Sequence, residues 1–236
     1  MELIENKNLR STLEIILNKS YNDITIDDLI NLKNISFSKP KSPSEEKFRV
    51  EEILKMPNVT SLAINDSNII NSDLSIISKL FFLRDISFDN CHFDENLNFK
   101  ELKKITYMTI NYCDIQNYSF LKDLTNLENL VIVYPQNELD IDLNVLENLS
   151  NLKTIIFEGC CLKNFDSLKK LKKLENLYFI TTSVPNIEFL KELANLKKVY
   201  IPDKYLNGIK KVGNIEILSS SIDLLIDDDY NSKGIV

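Results

Sequence analysis

The stretch "LKTIIFEGCCL", residues 152–162, contains the spacing that decides the fold. Apolar side chains occupy its first, fourth, sixth and eleventh positions, and a cysteine occupies the ninth. Ile155 and Phe157 lie two residues apart, so in a β-strand they would face the same side. The adjacent Cys160 and Cys161 are open to several interpretations: a metal site, a disulfide, a catalytic thiol or a structural position in a repeat.

The same pattern recurs along the chain at a nearly constant spacing. In successive copies its first apolar residue is Leu32, Val59, Leu83, Ile105, Leu127, Leu152, Leu174, Leu196 and Val212. The central spacings are 22, 22, 25, 22 and 22 residues. A period of this length predicts a solenoid, in which each copy supplies one strand with its return turn and packs on its neighbours.

Three of the four cysteines occupy one position of this repeat. It lies eight residues after the first apolar residue and reads Ser67, Cys91, Cys113, Pro135, Cys160, Thr182, Lys204 and Ser220. A small inward side chain there can hydrogen-bond to the turn backbone and stack on its counterpart one repeat away. The chain contains no C-x-x-C pair, and its single histidine is His92, so a zinc site would need carboxylate ligands as well. We therefore interpret the cysteines as structural thiols, and we predict no metal and no cofactor.

The repeat has the form L-x-x-L-x-L-x-x-N/C-x-L, and its turns include "YSFLKDLTNLENL", "FDSLKKLKKLENL" and "IEFLKELANLKKV". These residues resemble the leucine-rich repeat proteins of the 22-residue internalin and SDS22-like class. The resemblance implies an α/β fold: a leucine-rich repeat solenoid with a parallel β-sheet on the concave face and short helical or 3-10 turns on the convex face. It does not identify a partner, because proteins of this class bind unrelated partners.

The ends of such a solenoid need caps, because a terminal repeat exposes its apolar edge. We expect residues 1–24 to form an N-terminal capping helix, residues 25–222 the solenoid with about nine strands, and residues 223–236 a C-terminal cap or tail. One face of a helix predicted over residues 2–19 contains Leu9, Leu13, Ile16 and Leu17. Thr25, followed three residues later by Asp28, predicts a capping box that starts a second helix.

The candidate functional residues are those that the repeat itself does not require. Strand residues beside and between the inward positions are expected on the concave face. Large exposed apolar patches and tyrosines are typical of interaction sites. The candidate partner-binding residues are Tyr107, Tyr112, Val131, Val133, Tyr134, Ile156, Glu158, Tyr178, Ile180, Tyr200, Asp85 and Asp89. The alternative is that these residues are strand formers that stabilise the ladder and bind nothing.

Charge and hydropathy narrow the classes of partner. Residues 59–150 carry 14 acidic and 6 basic side chains, which disfavours nucleic acid and favours a protein partner with a basic patch. The lysine run "LKKLKKLENL", residues 168–177, is expected on a solvated convex face. No run of 18 apolar residues occurs, so no membrane partner is predicted.

These features predict a protein-binding module rather than an enzyme. The N-terminus lacks the apolar region of a secretory signal, so we predict a cytoplasmic protein, and we expect it to be a monomer. Three alternatives stay open: an inhibitor or immunity protein that masks a toxin or enzyme, a leaderless secreted effector, and a hydrolase that uses Cys91 or Cys160.

Overall fold

The fold is organised around one sheet of short strands. The computed structural model describes residues 3–38, 50–136, 139–184, 186–206 and 211–220. The sheet contains β1 (Asn34–Ser38), β2 (Ser61–Asn65), β4 (Asp85–Asp89), β6 (Tyr107–Asn111), β7 (Asn129–Val133), β9 (Thr154–Glu158), β11 (Asn176–Ile180), β12 (Lys198–Ile201), β13 (Lys211–Val212) and β14 (Ile215–Ser219). Their order is β1-β2-β4-β6-β7-β9-β11-β12-β14-β13, and every pair is parallel except β13 with β14.

Short elements connect or flank these strands. Two small parallel pairs consist of β3 (Asn68–Ile69) with β5 (His92–Phe93), and β8 (Ile141–Asp142) with β10 (Leu162–Lys163). The helices are α1 (Lys7–Leu17), α2 (Ile26–Asn31), α3 (Asn71–Ile77) and α4 (Asp203–Leu206). The 3-10 turns are Tyr21–Asp23, Val50–Lys55, Lys100–Leu102, Tyr118–Asp123, Leu143–Leu146, Phe165–Lys170 and Glu188–Glu192.

The main core lies between the sheet and these turns. In each strand the residues at alternate positions point into it, as Leu62 and Ile64 of β2 do, and both are at most 1% exposed. Stacked rings extend the core along the solenoid, and those of Phe99 and Phe120 have centroids 4.5 Å apart. The predicted α/β repeat fold, with a parallel sheet on one side and short turns on the other, is confirmed.

The cysteines form part of a hydrogen-bonded ladder in the turns that follow the strands. The Cys91 amide donates to Cys113 Sγ over 3.4 Å, and the Cys160 amide donates to Thr182 Oγ1 over 3.2 Å. The side chains of Cys91, Cys113, Cys160 and Thr182 donate in turn to the carbonyl oxygens of Ile64, Phe88, Ile132 and Phe157. All four cysteines are free thiols. The interpretation of the repeat cysteines as structural thiols is therefore confirmed.

The assignment of Lys204 to this ladder is wrong. Lys204 lies exposed in α4, and Ser220 fills the slot beyond Thr182, where its Oγ atom donates to the Phe179 carbonyl over 2.7 Å. A lysine ammonium group in this dry position would be a buried charge without a partner, which is far more costly than a buried hydroxyl with a hydrogen bond. The chain therefore departs from the repeat after β12 and returns to it at Ser220.

The register predicted for the ninth copy is also wrong, by two residues. Val199 pairs with Ile217, and Tyr200 pairs with Leu218 rather than with Glu216. Val212 lies in β13, antiparallel to Ile215, and between them Gly213 has a φ of +59°. Gly-Asn is a favoured two-residue hairpin turn, so the chain forms a hairpin here before the last parallel strand begins.

The helix predicted near the N-terminus is present as α1 (Lys7–Leu17), with a narrower buried apolar face than the sequence predicts. In α1, Leu9 and Leu13 are fully buried, but Ile16 is 44% exposed. The Thr25–Asp28 capping box is present at the start of α2 and is confirmed. Residues 223–236 lie outside the described residues, so the C-terminal cap and the division at residues 24 and 222 stay predictions.

Candidate functional site

The concave face consists of the strand residues that point away from the main core. Its central row is in register from β4 to β12 and reads Ser87, Thr109, Val131, Ile156, Tyr178 and Tyr200. A second row, nearer the strand ends, reads Asp89, Asn111, Val133, Glu158 and Ile180. Adjacent strands lie about 4.8 Å apart, so the side chains of each row are in contact range of one another.

Much of the predicted apolar patch on this face is buried. Val131, Val133, Ile156 and Ile180 are 2–8% exposed and form a cluster of their own, against which Tyr107 and Tyr178 pack. Tyr200 is 6% exposed, and its ring stacks on that of Tyr178 with centroids 4.4 Å apart. The exposure expected for these four aliphatic side chains and for Tyr200 is therefore wrong. The physical reason is the strand spacing: large side chains in neighbouring positions of a row cover one another.

Among the candidate apolar and tyrosine residues, the most exposed are instead the two tyrosines that follow the ends of β6 and β7. Tyr112 is 49% exposed and Tyr134 is 36% exposed. Their rings are stacked, with centroids 5.5 Å apart and planes 15° from parallel. The Gln136 amide group bonds to the Tyr112 carbonyl over 2.5 Å and holds the loop that follows Tyr134. We call Tyr112 and Tyr134 the tyrosine stack.

The backbone at the tyrosine stack belongs to a column of left-handed residues, one per repeat. The column contains Asp66, Asn90, Tyr112, Tyr134, Gly159 and Thr181, with φ between +42° and +61°. Asp, Asn and Gly tolerate this conformation, whereas for other residues it costs about 1–2 kcal/mol. The sequence analysis named both tyrosines but did not identify the column. In the sequence, each residue of the column stands directly before a ladder position, and this spacing could have identified the column.

The charges on the concave face are mainly negative. Asp85, Asp89 and Glu158 are all partly exposed. Burial and then the nearby Asp66 carboxylate raise the pKa of Asp89. Burial also raises the pKa of Glu158, although a hydrogen bond from the Tyr134 hydroxyl opposes this shift. The carboxylates at this face are therefore held in a less solvated setting than free side chains.

Several lysines in the turns and directly before the strands are paired with carboxylates. Lys153 bonds to Glu128 at 2.7 Å, and Lys170 bonds to Glu147 at 2.5 Å. The other pairs are Lys169 with Asp166 and Glu192, Lys191 with Glu188, and Lys197 with Glu175. These lysines are neutralised locally, whereas Lys172 and Lys173 donate to the Lys169 carbonyl and to Asn151 Oδ1 and keep their charge uncompensated by a carboxylate within the ion pairs described.

The thiols are not arranged for nucleophilic chemistry. Cys91 is 1% exposed and Cys160 is 3% exposed, and both sulfurs donate to backbone carbonyls. Burial raises the pKa of Cys160 to about 12. The His92 ring pairs with Asp114, with Nδ1 and Oδ2 2.9 Å apart. A histidine base therefore does not face the sulfur of its sequence neighbour.

Comparison with known proteins shows the fold. No protein-family model and no curated protein sequence matches the chain. Internalin C2 of Listeria monocytogenes is similar in structure, with 19% identity over 95% of this chain and 90% of that chain and a TM-score of 0.58. An internalin-like protein of Listeria monocytogenes is similar at 17% identity and a TM-score of 0.57; the match covers 85% of this chain and 62% of that one. The chain is thus a leucine-rich repeat solenoid of the kind seen in internalins.

Proposed function

We propose that the protein is a non-catalytic module that binds a protein partner through its concave face. The observation that carries this proposal is a second apolar cluster on an open sheet face. Parallel sheets are usually covered on both faces. Here the turns cover one face, while the cluster of Val131, Val133, Ile156 and Ile180 on the other is built from strand residues alone. Such a face is suited to association with another protein.

The rigidity of the face supports the proposal. Its side chains belong to strands whose backbones pair from β1 to β14, so they are held in fixed positions before any partner arrives. Preorganisation lowers the entropy lost on association and so favours affinity. The partly exposed Tyr107 and Tyr178 border the cluster, and tyrosine is enriched among residues that dominate binding energy.

The charge distribution favours a partner with a basic patch. Asp85 and Asp89 lie at one end of the apolar cluster, and Glu158 lies within the second row. Lys153 and Lys170, in contrast, are ion-paired with glutamates. Complementary charge accelerates encounter and selects orientation. We therefore expect the partner's association rate to fall as salt concentration rises.

A thiol hydrolase is disfavoured by the same structure. A reactive cysteine needs an accessible thiolate, and both Cys91 and Cys160 are buried in the ladder. Among the described residues, no helix has the length and apolar character needed to cross a bilayer. The inhibitor or immunity role, the leaderless secreted effector, the cytoplasmic location, the monomeric state and the exclusion of nucleic acid stay predictions from the sequence.

The experiment compares variants of the two faces. Immobilised protein captures its partner from an extract of the source cells, and the captured protein is then purified and its binding measured. Tyr107→Arg and Tyr178→Arg should each abolish or strongly weaken binding, because they place a charge beside the apolar cluster. Lys170→Ala, on the convex side, should bind like wild type, and melting curves check that all three variants fold. Loss of binding in Lys170→Ala with normal binding in both tyrosine variants would contradict the proposal.

A further inference from the structure

A column of asparagines joins the turns that precede the strands. Each asparagine lies directly before the first apolar residue of its repeat, and its side-chain amide donates to a main-chain carbonyl of the preceding repeat. The pairs include Asn58 with Ile30, Asn126 with Lys103 and Asn151 with Thr125, with N–O distances of 2.8–3.0 Å. Phe82 occupies this position before β4, and a phenyl ring has no donor for the bond. The repeat therefore does not account for a phenylalanine here.

Phe82 belongs to an exposed apolar strip on the side of the solenoid where the strands begin, which we call the flank. Phe81 is 71% exposed and Phe82 is 47% exposed, and their rings meet edge to face with centroids 5.1 Å apart. Ile30 and Pro57 occupy the position of Phe81 in the two preceding copies of the repeat and are exposed as well. Positions that recur once per repeat lie side by side, and contiguous exposed apolar residues are typical of interaction surfaces.

Basic side chains adjoin the two phenylalanine rings. Lys104 Nζ lies 5.8 Å from the centre of the Phe81 ring, and the Arg84 guanidinium donates to the Phe81 carbonyl over 3.2 Å. Lys103 is exposed beside Lys104. Burial and then the Arg84 charge lower the pKa of Lys104, because two neighbouring cations in a partly desolvated setting repel each other. An anion bound here would relieve that repulsion.

The flank as a whole is basic. Its residues are the two before and the one after the first apolar residue of each copy, from Leu32 to Leu196. The basic ones are Lys33, Arg84, Lys103, Lys104, Lys153, Lys172, Lys173 and Lys197, and the acidic ones are Glu128 and Glu175. Both glutamates are ion-paired, with Lys153 and Lys197. The flank therefore presents an excess of positive charge along the solenoid, whereas the concave face is mainly acidic.

We propose that the flank binds the surface of an anionic lipid bilayer, with Phe81 and Phe82 inserted at the boundary between headgroups and acyl chains and the basic residues against the headgroups. Surface binding of this kind needs exposed apolar side chains beside cations and no membrane-spanning segment. A fluid bilayer accepts protruding rings without a preformed pocket, and an extended anionic surface matches a line of cations. The concave face stays open in this arrangement, so the inference goes beyond the proposed function and does not depend on it.

The direct test places a tryptophan on the flank. The chain contains no tryptophan, so Phe81→Trp provides a single fluorescent reporter, and Tyr112→Trp is the control at the opposite edge, where Tyr112 is 49% exposed. The ligand is a vesicle of phosphatidylcholine and phosphatidylglycerol, with or without brominated acyl chains. Emission of the Phe81→Trp protein should shift to shorter wavelength and be quenched by the brominated lipid, while the control remains unchanged. No quenching at position 81, or equal quenching at both positions, would overturn the inference.

Matched variants separate insertion from charge attraction, with co-sedimentation measuring vesicle binding and melting curves checking the fold. Phe82→Asn introduces the residue of the asparagine column, so it should be at least as stable as wild type, yet it should weaken binding by about tenfold, the loss expected for one partly inserted ring. Lys103→Gln should weaken binding by about fivefold. The control is Lys122→Gln, at an exposed position in the Tyr118–Asp123 turn, and it should bind like wild type. Equal loss in the Lys122 variant would contradict the assignment to the flank.

Other ligands of a basic, apolar flank would give different results in the same experiments. Binding that falls in Lys103→Gln but is unchanged in Phe82→Asn would show a general contact with anions and refute insertion. Equally tight binding to vesicles of phosphatidylcholine alone would refute the role of headgroup charge. A dimer that forms without lipid and dissociates in Phe82→Asn, together with no vesicle binding, would show that the flank joins two copies of the chain and would overturn the proposal. Each of these results leaves the proposed function of the concave face intact.

Discussion

At the residue scale, the ladder after the strands shows how one small side chain per repeat stabilises a solenoid. The Thr182 hydroxyl lies within hydrogen-bond distance of the Phe157 carbonyl at 3.1 Å and the Ile180 carbonyl at 2.9 Å, and it accepts from the Cys160 amide. It is fully buried, so water cannot replace these bonds. Each ladder residue therefore joins the turns of two repeats.

Thr182→Val tests the ladder, because valine has nearly the same shape and lacks the hydroxyl. The substitution leaves the Cys160 amide buried without its acceptor, and we expect a loss of about 1–3 kcal/mol in the free energy of unfolding. Urea unfolding measures the change. The control is Thr125→Val at an exposed position, which should change little. An equally stable Thr182→Val protein would show that the ladder is dispensable.

Asp89 provides a second prediction at this scale, on pH. Burial and the Asp66 carboxylate raise its pKa, so the folded state binds the proton more tightly than the unfolded state does. Its contribution to stability therefore becomes less favourable as pH rises from the ordinary carboxyl value, about 3.9, through the raised value. Asp89→Asn should be more stable than wild type at pH 7, and the difference should shrink toward pH 4. Urea unfolding across this range checks it, and a difference independent of pH would contradict it.

At the element scale, the N-terminal cap is joined to the first repeat by a buried carboxylate. Glu52 is 4% exposed and accepts from the amides of Glu5 at 2.6 Å and Asn6 at 2.9 Å, just before α1 begins. A negative charge at a helix N-terminus is also favoured by the helix dipole. One side chain of the Val50–Lys55 turn thus links the start of α1 to the solenoid.

Glu52→Ala should destabilise this cap. It leaves two amides without an acceptor, and we expect about 1–3 kcal/mol of lost stability. The neighbouring Glu51 is exposed, so Glu51→Ala is the matched control and should be close to neutral. Chemical unfolding followed by circular dichroism compares the two variants. Equal effects of the two substitutions would show that the bonds from Glu52 do not hold the cap.

The sequence predicts the elements well and fails where a local signal competes with the repeat. The apolar frame gives eight of the nine parallel strands of the large sheet in their observed register, because it reports directly which side chains are buried. It misplaces the last strand by two residues, because the Gly213–Asn214 hairpin takes Val212 out of the frame. It also assigns Lys204 to the ladder, because spacing alone does not reveal that the slot is buried and that Ser220 fills it.

The candidate site was predictable in composition but not in exposure. Alternation identifies which side chains point to the concave face, and the two rows contain Tyr178, Tyr200 and the predicted aliphatic residues. It does not report how far neighbours in a row cover one another, so Val131 and Ile156 were expected to be exposed and are buried. The binding role of these residues stays a proposal.

At the scale of the whole molecule, the two sides of the solenoid differ in charge and in packing. The turns opposite the sheet carry lysines in ion pairs, as Lys170 does with Glu147 at 2.5 Å. The concave side carries partly exposed acidic side chains around an apolar cluster. If the proposed function holds, the partner is expected to contact the acidic, aromatic side.

The central claim is that this concave surface contacts the partner, and site-specific photo-crosslinking tests it most directly. The photoreactive residue p-benzoylphenylalanine replaces either Tyr178 on the concave face or Phe81, which is 71% exposed at the opposite end of the strands. Both replacements keep a phenyl ring at the position and add a benzoyl group to it, and melting curves check folding. In the source cells, irradiation should produce a covalent protein adduct of defined mass from position 178 and none from position 81. An adduct from position 81, with none from position 178, would contradict the account.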